Sequence, residues 1–307
     1  MRNIISVQNL IKDTLSNKKN QRVLNDVSFV VREGQCAGLI GPNGAGKSTT
    51  IKILSGILWQ TSGDVLINDI NPLHNHQSIA ANIGVVFGHL GQLYGHLTVE
   101  QNFLYAKIIY GLNDQQYCQN ISRLCDYFDI KEFFSKSSAK LSLGQKMQCE
   151  IALSLLHDPS IIFLDEPTIG LDMQAKKNFR SIIKKITKDH NKTLILTSHD
   201  MGDIADLCDK VIIINKGKVV YDDQLAKLKK QRQEYKTIHI ITSDLAPDWQ
   251  LQGCSILDKS YEKVSILINL TQISLNQALQ SLILQCSFAD ISIEDEPLET
   301  IISNLYG

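Results

Sequence analysis

Eight consecutive residues, Gly41-Pro42-Asn43-Gly44-Ala45-Gly46-Lys47-Ser48, follow the spacing G-x-x-x-x-G-K-[ST] without a gap. Polyphosphate is a dense cluster of negative charge. Backbone N–H groups can surround it only where no Cβ intervenes, hence the glycines. A helix opening at Lys47 would add its positive dipole end. Lys47 brings a full charge to the outer phosphates, and the Ser48 hydroxyl suits a Mg²⁺ ion. The ligand this spacing implies is a nucleoside triphosphate. The loop alone does not separate one phosphate-loop family from another.

A second group lies further on. Ile161-Ile162-Phe163-Leu164-Asp165-Glu166 is an apolar run that ends in two acids. At the tip of a buried parallel strand, such acids reach the ligand edge of a sheet. Asp165 can hold Mg²⁺ directly or through its water shell. Glu166 points differently, because side chains alternate along a strand, and can act as base or orienter for water. Pro167-Thr168-Ile169-Gly170-Leu171-Asp172 follows, and Thr197-Ser198-His199-Asp200 closes the next strand. His199 at that strand end could reach and sense a γ-phosphate.

These residues need a sheet to converge. Short apolar runs at Cys36 to Ile40, Ile83 to Phe87, Ile161 to Leu164, Thr193 to Thr197 and Val211 to Ile214 alternate with helical stretches. That order predicts an α/β fold, a mainly parallel sheet covered on both faces. Ile4 to Leu10 reads as an edge strand and Val23 to Val31 as another strand. A helix is expected from Lys47 to about Leu58, and one from Ser142 to Leu156. Thr98 to about Lys140 reads as mostly helical, an inserted subdomain between two α/β halves. Asn215 to Lys218 reads as a hairpin turn, and a basic helix follows from Gln224 to Glu234. Beyond it, alternation at Thr237 to Thr242 and Lys263 to Ile268 and a helix capped by Ser274 predict a small α+β domain.

The 307 residues suit one large domain and one small one. A net charge of -1 gives no support to a nucleic-acid partner. No apolar run approaches the roughly 18 to 20 residues of a membrane span, and the first residues lack a signal-peptide layout. A cytoplasmic chain is expected. The seven cysteines form no Cys-x-x-Cys pair and read as reduced thiols. His74 and His76 lack neighbouring ligands and read as surface loop residues.

Leu141-Ser142-Leu143-Gly144-Gln145 lies between the phosphate loop and the acidic strand. With it in place the chain resembles the ABC ATPase family: phosphate loop, signature, acidic strand, Gly-Leu-Asp segment and switch histidine occur in family order. The resemblance implies the phosphate-loop NTPase fold of ABC ATPases over residues 1–225. The helical subdomain is expected at about 98–155, and residues 226–307 form an accessory or regulatory domain. It implies ATP and Mg²⁺, with nucleotide contacts from Gly41 through Thr49. Ser48 and Asp165 would be on the metal, and Lys47, Glu166 and His199 in catalysis. It also implies a homodimer that sandwiches ATP, each ATP touching the phosphate loop of one copy and Ser142, Gly144 and Gln145 of the other, with Asp172 at the seam. Leu-Ser-Leu-Gly-Gln-Lys-Met, Leu-Asp-Glu-Pro-Thr-Ile-Gly-Leu-Asp, Ile-Gly-Val-Val-Phe-Gly and the ending from Asp290 to Gly307 look like ABC-2-type exporters. In that group a separate multi-pass permease holds the ATPase at the cytoplasmic face of the membrane.

Three positions depart from the family pattern. Residues 1 to 28 contain no aromatic to stack on the base, so GTP is expected to be accepted with little penalty. His89 falls where the γ-phosphate-sensing glutamine is expected, with Gln92 close behind. Leu143 replaces a glycine, as the narrower subgroup tolerates. An importer ATPase and a soluble, non-transport ABC ATPase are the alternatives. The latter types carry two cassettes or long coiled-coil insertions, for which this chain has neither the duplicate motifs nor the room.

Overall fold

The computed structural model describes residues 2–16, 19–88, 91–230, 234–242, 249–260, 263–296 and 298–306. Two compact units emerge, Met1–Gln224 and Leu225–Gly307. The first contains β1 (Asn3–Ser16), β2 (Lys19–Arg32), β3 (Cys36–Ile40), α1 (Lys47–Leu54), β4 (Ser62–Ile67), α2 (His76–Ala80), β5 (Ile83–Phe87), α3 (Val99–Ile109), α4 (Asp114–Phe128), α5 (Leu143–Ser154), β6 (Ile161–Asp165), α6 (Met173–Asp189), β7 (Thr193–Thr197), α7 (Met201–Leu207), β8 (Lys210–Asn215) and β9 (Lys218–Gln224).

A six-stranded sheet runs β5-β6-β7-β3-β8-β9. Its first five strands are parallel, and β9 returns antiparallel beside β8. Strands β3, β6 and β7 are buried at every position, as expected of a parallel sheet covered on both faces. Parallel neighbours aim their C-terminal ends the same way. The phosphate loop after β3, the acids closing β6 and the His199 segment after β7 therefore meet at one edge.

A three-stranded antiparallel sheet, β2-β1-β4, makes a second layer. Here the expected edge strand is corrected. β1 is the centre of the sheet, bonded to β2 on one side and β4 on the other, with Ile5, Val7 and Leu10 in the core. Its polar alternate residues face away from that core and gave the run its edge-like look. Helix α1 also stops earlier than the periodicity suggests, because Gly56 takes a left-handed φ of 72° just past the cap Ser55. His76 opens the short helix α2 rather than lying in a loop.

Between β5 and β6, the region read as helical consists of α3, α4, two short 3₁₀ turns and α5. Capping boxes start all three α-helices, at Thr98, Asn113 and Ser142. Each gives two backbone N–H donors at a helix start side-chain acceptors and is worth about 1 kcal/mol.

The second unit carries α8 (Leu225–Lys230), β10 (Tyr235–Ile241), β11 (Cys254–Lys259), β12 (Lys263–Asn269), α9 (Leu275–Gln285), β13 (Asp290–Asp295) and α10 (Leu298–Asn304). Its antiparallel sheet runs β11-β12-β10-β13. Ile238, Ile240, Val264, Ile266 and Ile268 form one apolar face, packed with Ala278 and Leu282 of α9. The basic helix expected from Gln224 to Glu234 is described over Leu225–Lys230; residues 231–233 lie outside the described residues.

Candidate nucleotide site

Gly46 sits at φ 109°, the N-cap of α1, and offers no side chain to its first turn. A Cβ there would also meet Leu24 Cδ2 at 2.4 Å. Glycine is required twice over, by backbone and by space. The first N–H groups of α1 are left free of a side-chain cap and can meet an anion. Lys47 is buried, and its ammonium donates to Gly41 O at 2.8 Å and Pro42 O at 3.3 Å. Burial pulls its pKa below the ordinary lysine value, against the opposing pull of Glu166 and Asp165. An anion at this point would relieve that cost.

Ser48 Oγ donates to Asp165 Oδ1 at 3.1 Å, across from α1 to the end of β6. Thr197 Oγ1, at the end of β7, donates to the same oxygen at 2.6 Å. The next residue, Glu166, takes a left-handed φ of 54°. Its N–H donates to Thr197 O at 3.0 Å and approaches Thr197 Oγ1 at the same distance. The carboxylate turns to His199, whose Nε2 is 2.9 Å from Glu166 Oε1. Thr197 gave no signal in the sequence, since a threonine closing a strand is commonplace, yet it orders both acids.

The His199 segment stands on a polar network. Asp203 is fully buried. It accepts from Ser198 Oγ at 2.7 Å, Thr168 Oγ1 at 2.5 Å and Arg180 Nε at 2.6 Å. Asp200 bonds Lys176 and Arg180 and caps α7 through Gly202 N. Although burial pushes the Asp200 pKa up, its contacts with Lys176 and Arg180 hold it below the usual carboxylate range. Both neighbours of His199 are thus fixed to α6.

Asn43, Gly44, Gly46, Lys47, Ser48, Thr49, Glu166 and His199 line one open cleft of about 580 Å³, joined by Gln21 and Val23 of β2 and by Ile169. That volume falls within the usual range for small-molecule sites. Ser142, Gly144, Gln145 and Asp172 line a different groove, of about 420 Å³, between α5 and α6. Ser142 Oγ accepts from Gln145 N at 3.3 Å, and the Gln145 side chain accepts from Ser142 N at 3.1 Å. Within one chain the phosphate loop and the signature do not share a site. Leu143 is half-exposed and leans on Gly170, where an added Cβ would lie 2.9 Å from its Cδ2.

His89 lies outside the described residues. Gln92 is turned away from the cleft lining: its side-chain amide donates to Val85 O, and its N–H donates to Glu150 Oε1 at 3.2 Å. Among the described residues no three His, Cys, Asp or Glu side chains converge as a metal cage. The hydroxyl and carboxylate of Ser48 and Asp165 instead suit a hard cation that keeps phosphate and water ligands.

Residues 24–169 match the family model described as ABC transporter. The chain is 32% identical over 228 residues to the ABC transporter ATP-binding protein NatA of Bacillus subtilis (strain 168), covering 74% of this chain and 92% of NatA. It is 29% identical over 290 residues to the bacitracin transport ATP-binding protein BcrA of Bacillus licheniformis, covering 94% of each. Among solved structures, dimeric MJ0796, a bacterial ABC transporter cassette, matches with a TM-score of 0.64 at 24% identity, over 72% of this chain and 98% of that one, a likeness of fold. With nearly the whole of NatA aligned and an ABC cassette fold around the phosphate loop, this chain belongs to the ATP-binding subunits of ABC transporters, ATPases whose hydrolysis is coupled to transport.

Proposed function

We propose that this chain is the motor of an ABC-2-type exporter, a homodimer that closes on two ATP molecules beneath a separate multi-pass permease. The observation that carries the reading is the division of labour within one chain. Lys47, Ser48, Glu166 and His199 line one cleft, while Ser142, Gly144, Gln145 and Asp172 line another groove. Each half-site is incomplete, and a second copy supplies what is missing.

The ATP phosphates enter the loop, and Lys47 exchanges the Gly41 and Pro42 carbonyls for phosphate oxygens. The uncapped N–H groups of α1 donate to the same anion. Ser48 and Asp165 would hold Mg²⁺, which when bound neutralises charge on the β- and γ-phosphates. Glu166 accepts a proton from the attacking water as the water oxygen bonds to the γ-phosphorus. The bond from that phosphorus to the bridging oxygen breaks, leaving ADP and phosphate. His199 orients Glu166 and senses the γ-phosphate. From the partner copy, the Ser142 hydroxyl and Gly144 N–H donate to γ-phosphate oxygens. Once that phosphate leaves, these donors lose their acceptor and the dimer opens.

The export direction is supported by the signature and acidic-strand wording. The likeness to BcrA, which runs into the second unit, supports a shared architecture including the accessory domain at 226–307. Helix α3 leaves Leu104, Tyr105, Ile108 and Ile109 exposed. An apolar face of this kind suits a protein partner, and the permease is the partner proposed. No helix among the described residues is long and apolar enough to cross a membrane, so attachment to the cytoplasmic face is assigned to the permease. Nucleic acid is not a proposed partner.

Co-purification tests this reading. Tagged Glu166→Gln, isolated from solubilised membranes with ATP and Mg²⁺, is expected to bring down a multi-pass protein. Recovery of the ATP-bound chain without any membrane protein would remove the exporter assignment and leave the ATPase.

A further inference from the structure

We propose that Glu150 is a positioning residue that ties the signature helix to the segment leaving β5, so that one nucleotide site is felt by the helix that serves the other. Glu150 lies on α5, about two turns beyond Ser142. It is only 3% exposed. Its Oε1 accepts from Gln92 N at 3.2 Å, and the neighbouring Leu93 N–H also favours the charged carboxylate. Lys146, one turn earlier, is the nearest cation, with Nζ 3.9 Å away. Burial raises the Glu150 pKa, and Lys146 and the two amides oppose that rise. A carboxylate carried into the interior is costly unless its acceptors are used. Here they are used on the backbone of one short segment.

That segment is shaped to receive it. A Cβ on Gly91 would stand 2.9 Å from Lys146 Nζ and 3.0 Å from Glu150 Oε1. A larger residue there would displace the ends of these two side chains from their place beside the segment. The Gln92 side chain reaches back to Val85 O on β5. On the other side, Gly88 N–H donates to Asp165 O at 2.8 Å, and a Cβ on Gly88 would meet Glu166 O at 2.4 Å. Gly88 is therefore keyed to the acids of the cleft, and Gly91 to Leu93 are keyed to α5. The start of α5 carries Ser142 and Gly144 into the other groove. A shift of the Asp165–Glu166 backbone on nucleotide binding has a physical route to the signature through these anchors. The local tie stands on the contacts alone, whereas its consequence between sites rests on the sandwich dimer proposed above.

The test compares Glu150→Ala and Glu150→Gln in the full chain. Backbone amide exchange at Gln92 reads the tie directly. In Glu150→Ala it is expected to rise by about ten-fold or more, because that amide loses its acceptor. Glu150→Gln keeps an acceptor oxygen and is expected to stay within about three-fold of wild type. For ATP hydrolysis, Glu150→Ala should lower kcat by about ten-fold with KM within about three-fold, and bring the Hill coefficient toward one, while Glu150→Gln restores most of both. Unchanged exchange, kcat and Hill coefficient in Glu150→Ala would overturn the proposal. So would equal impairment of both variants with a matching loss of melting temperature. A wild-type chain that hydrolyses ATP as a monomer would contradict the sandwich instead, and the exchange comparison would still decide for or against Glu150.

Discussion

His199 Nε2 stands 2.9 Å from Glu166 Oε1, joining the end of β7 to the end of β6. Glu166 is the sheltered member, with its side chain 13% exposed against 47% for His199. A positioned base with a group that orients it is the arrangement hydrolysis needs. His199→Ala should therefore leave ATP affinity within about three-fold and lower kcat by about 100-fold. Phosphate release and equilibrium binding separate the two effects. A large loss of affinity with kcat retained would make His199 a binding residue.

Glu166 adopts its left-handed conformation at a cost of about 1–3 kcal/mol. Thr197 holds it there through the two contacts on the Glu166 N–H. Glycine takes the same backbone without strain. Glu166→Gly should thus be at least as stable as wild type in thermal melting while losing hydrolysis, a trade of stability for activity. A loss of more than about 1 kcal/mol would mean the contact with His199 outweighs the strain.

His157 lies flat on Tyr110, ring centroids 3.9 Å apart and 6° from parallel, with Nε2 3.0 Å from Ile83 O. Burial pushes its pKa down from 6.5 to about 4. Between those values the unfolded chain holds a proton that the folded chain refuses. Stability from this group is therefore full above pH 6.5 and is lost as pH falls toward 4. His157→Phe keeps a stacked ring and removes the titration. Chemical denaturation at pH 7 and pH 4.5 should show wild type losing on the order of 2 kcal/mol more than the variant over that interval. Parallel pH curves would contradict the assignment.

Base selectivity is expected to follow from β2. Gln21 and Val23 line the cleft. The valine offers no ring to stack, and a primary amide both donates and accepts, so it serves the edges of adenine and guanine alike. Competition binding should place ATP and GTP within about ten-fold of each other. A preference for ATP of about 100-fold or more would show that another group reads the base.

The phosphate loop and the two acids were legible in the sequence because their chemistry allows few substitutes. No residue but glycine fits Gly46, and strands β3, β5 and β7 end where their apolar runs end. Partnering was less legible. β1 looked like an edge because its polar residues alternate, but strand order depends on β4, which is distant in sequence. β11 was missed because a bulge between Ile256 and Asp258 breaks its alternation. Thr197 and Glu150 carry no local signature. Their roles exist only after the fold brings Asp165 to one and Gln92 to the other.

The central claim is that ATP joins two copies of this chain, and sedimentation velocity of Glu166→Gln tests it most directly. With ATP and Mg²⁺ the mass should double; with ADP, or with Lys47→Ala added, it should not. A chain that binds ATP to saturation and remains monomeric, or that dimerises regardless of nucleotide, would contradict the account.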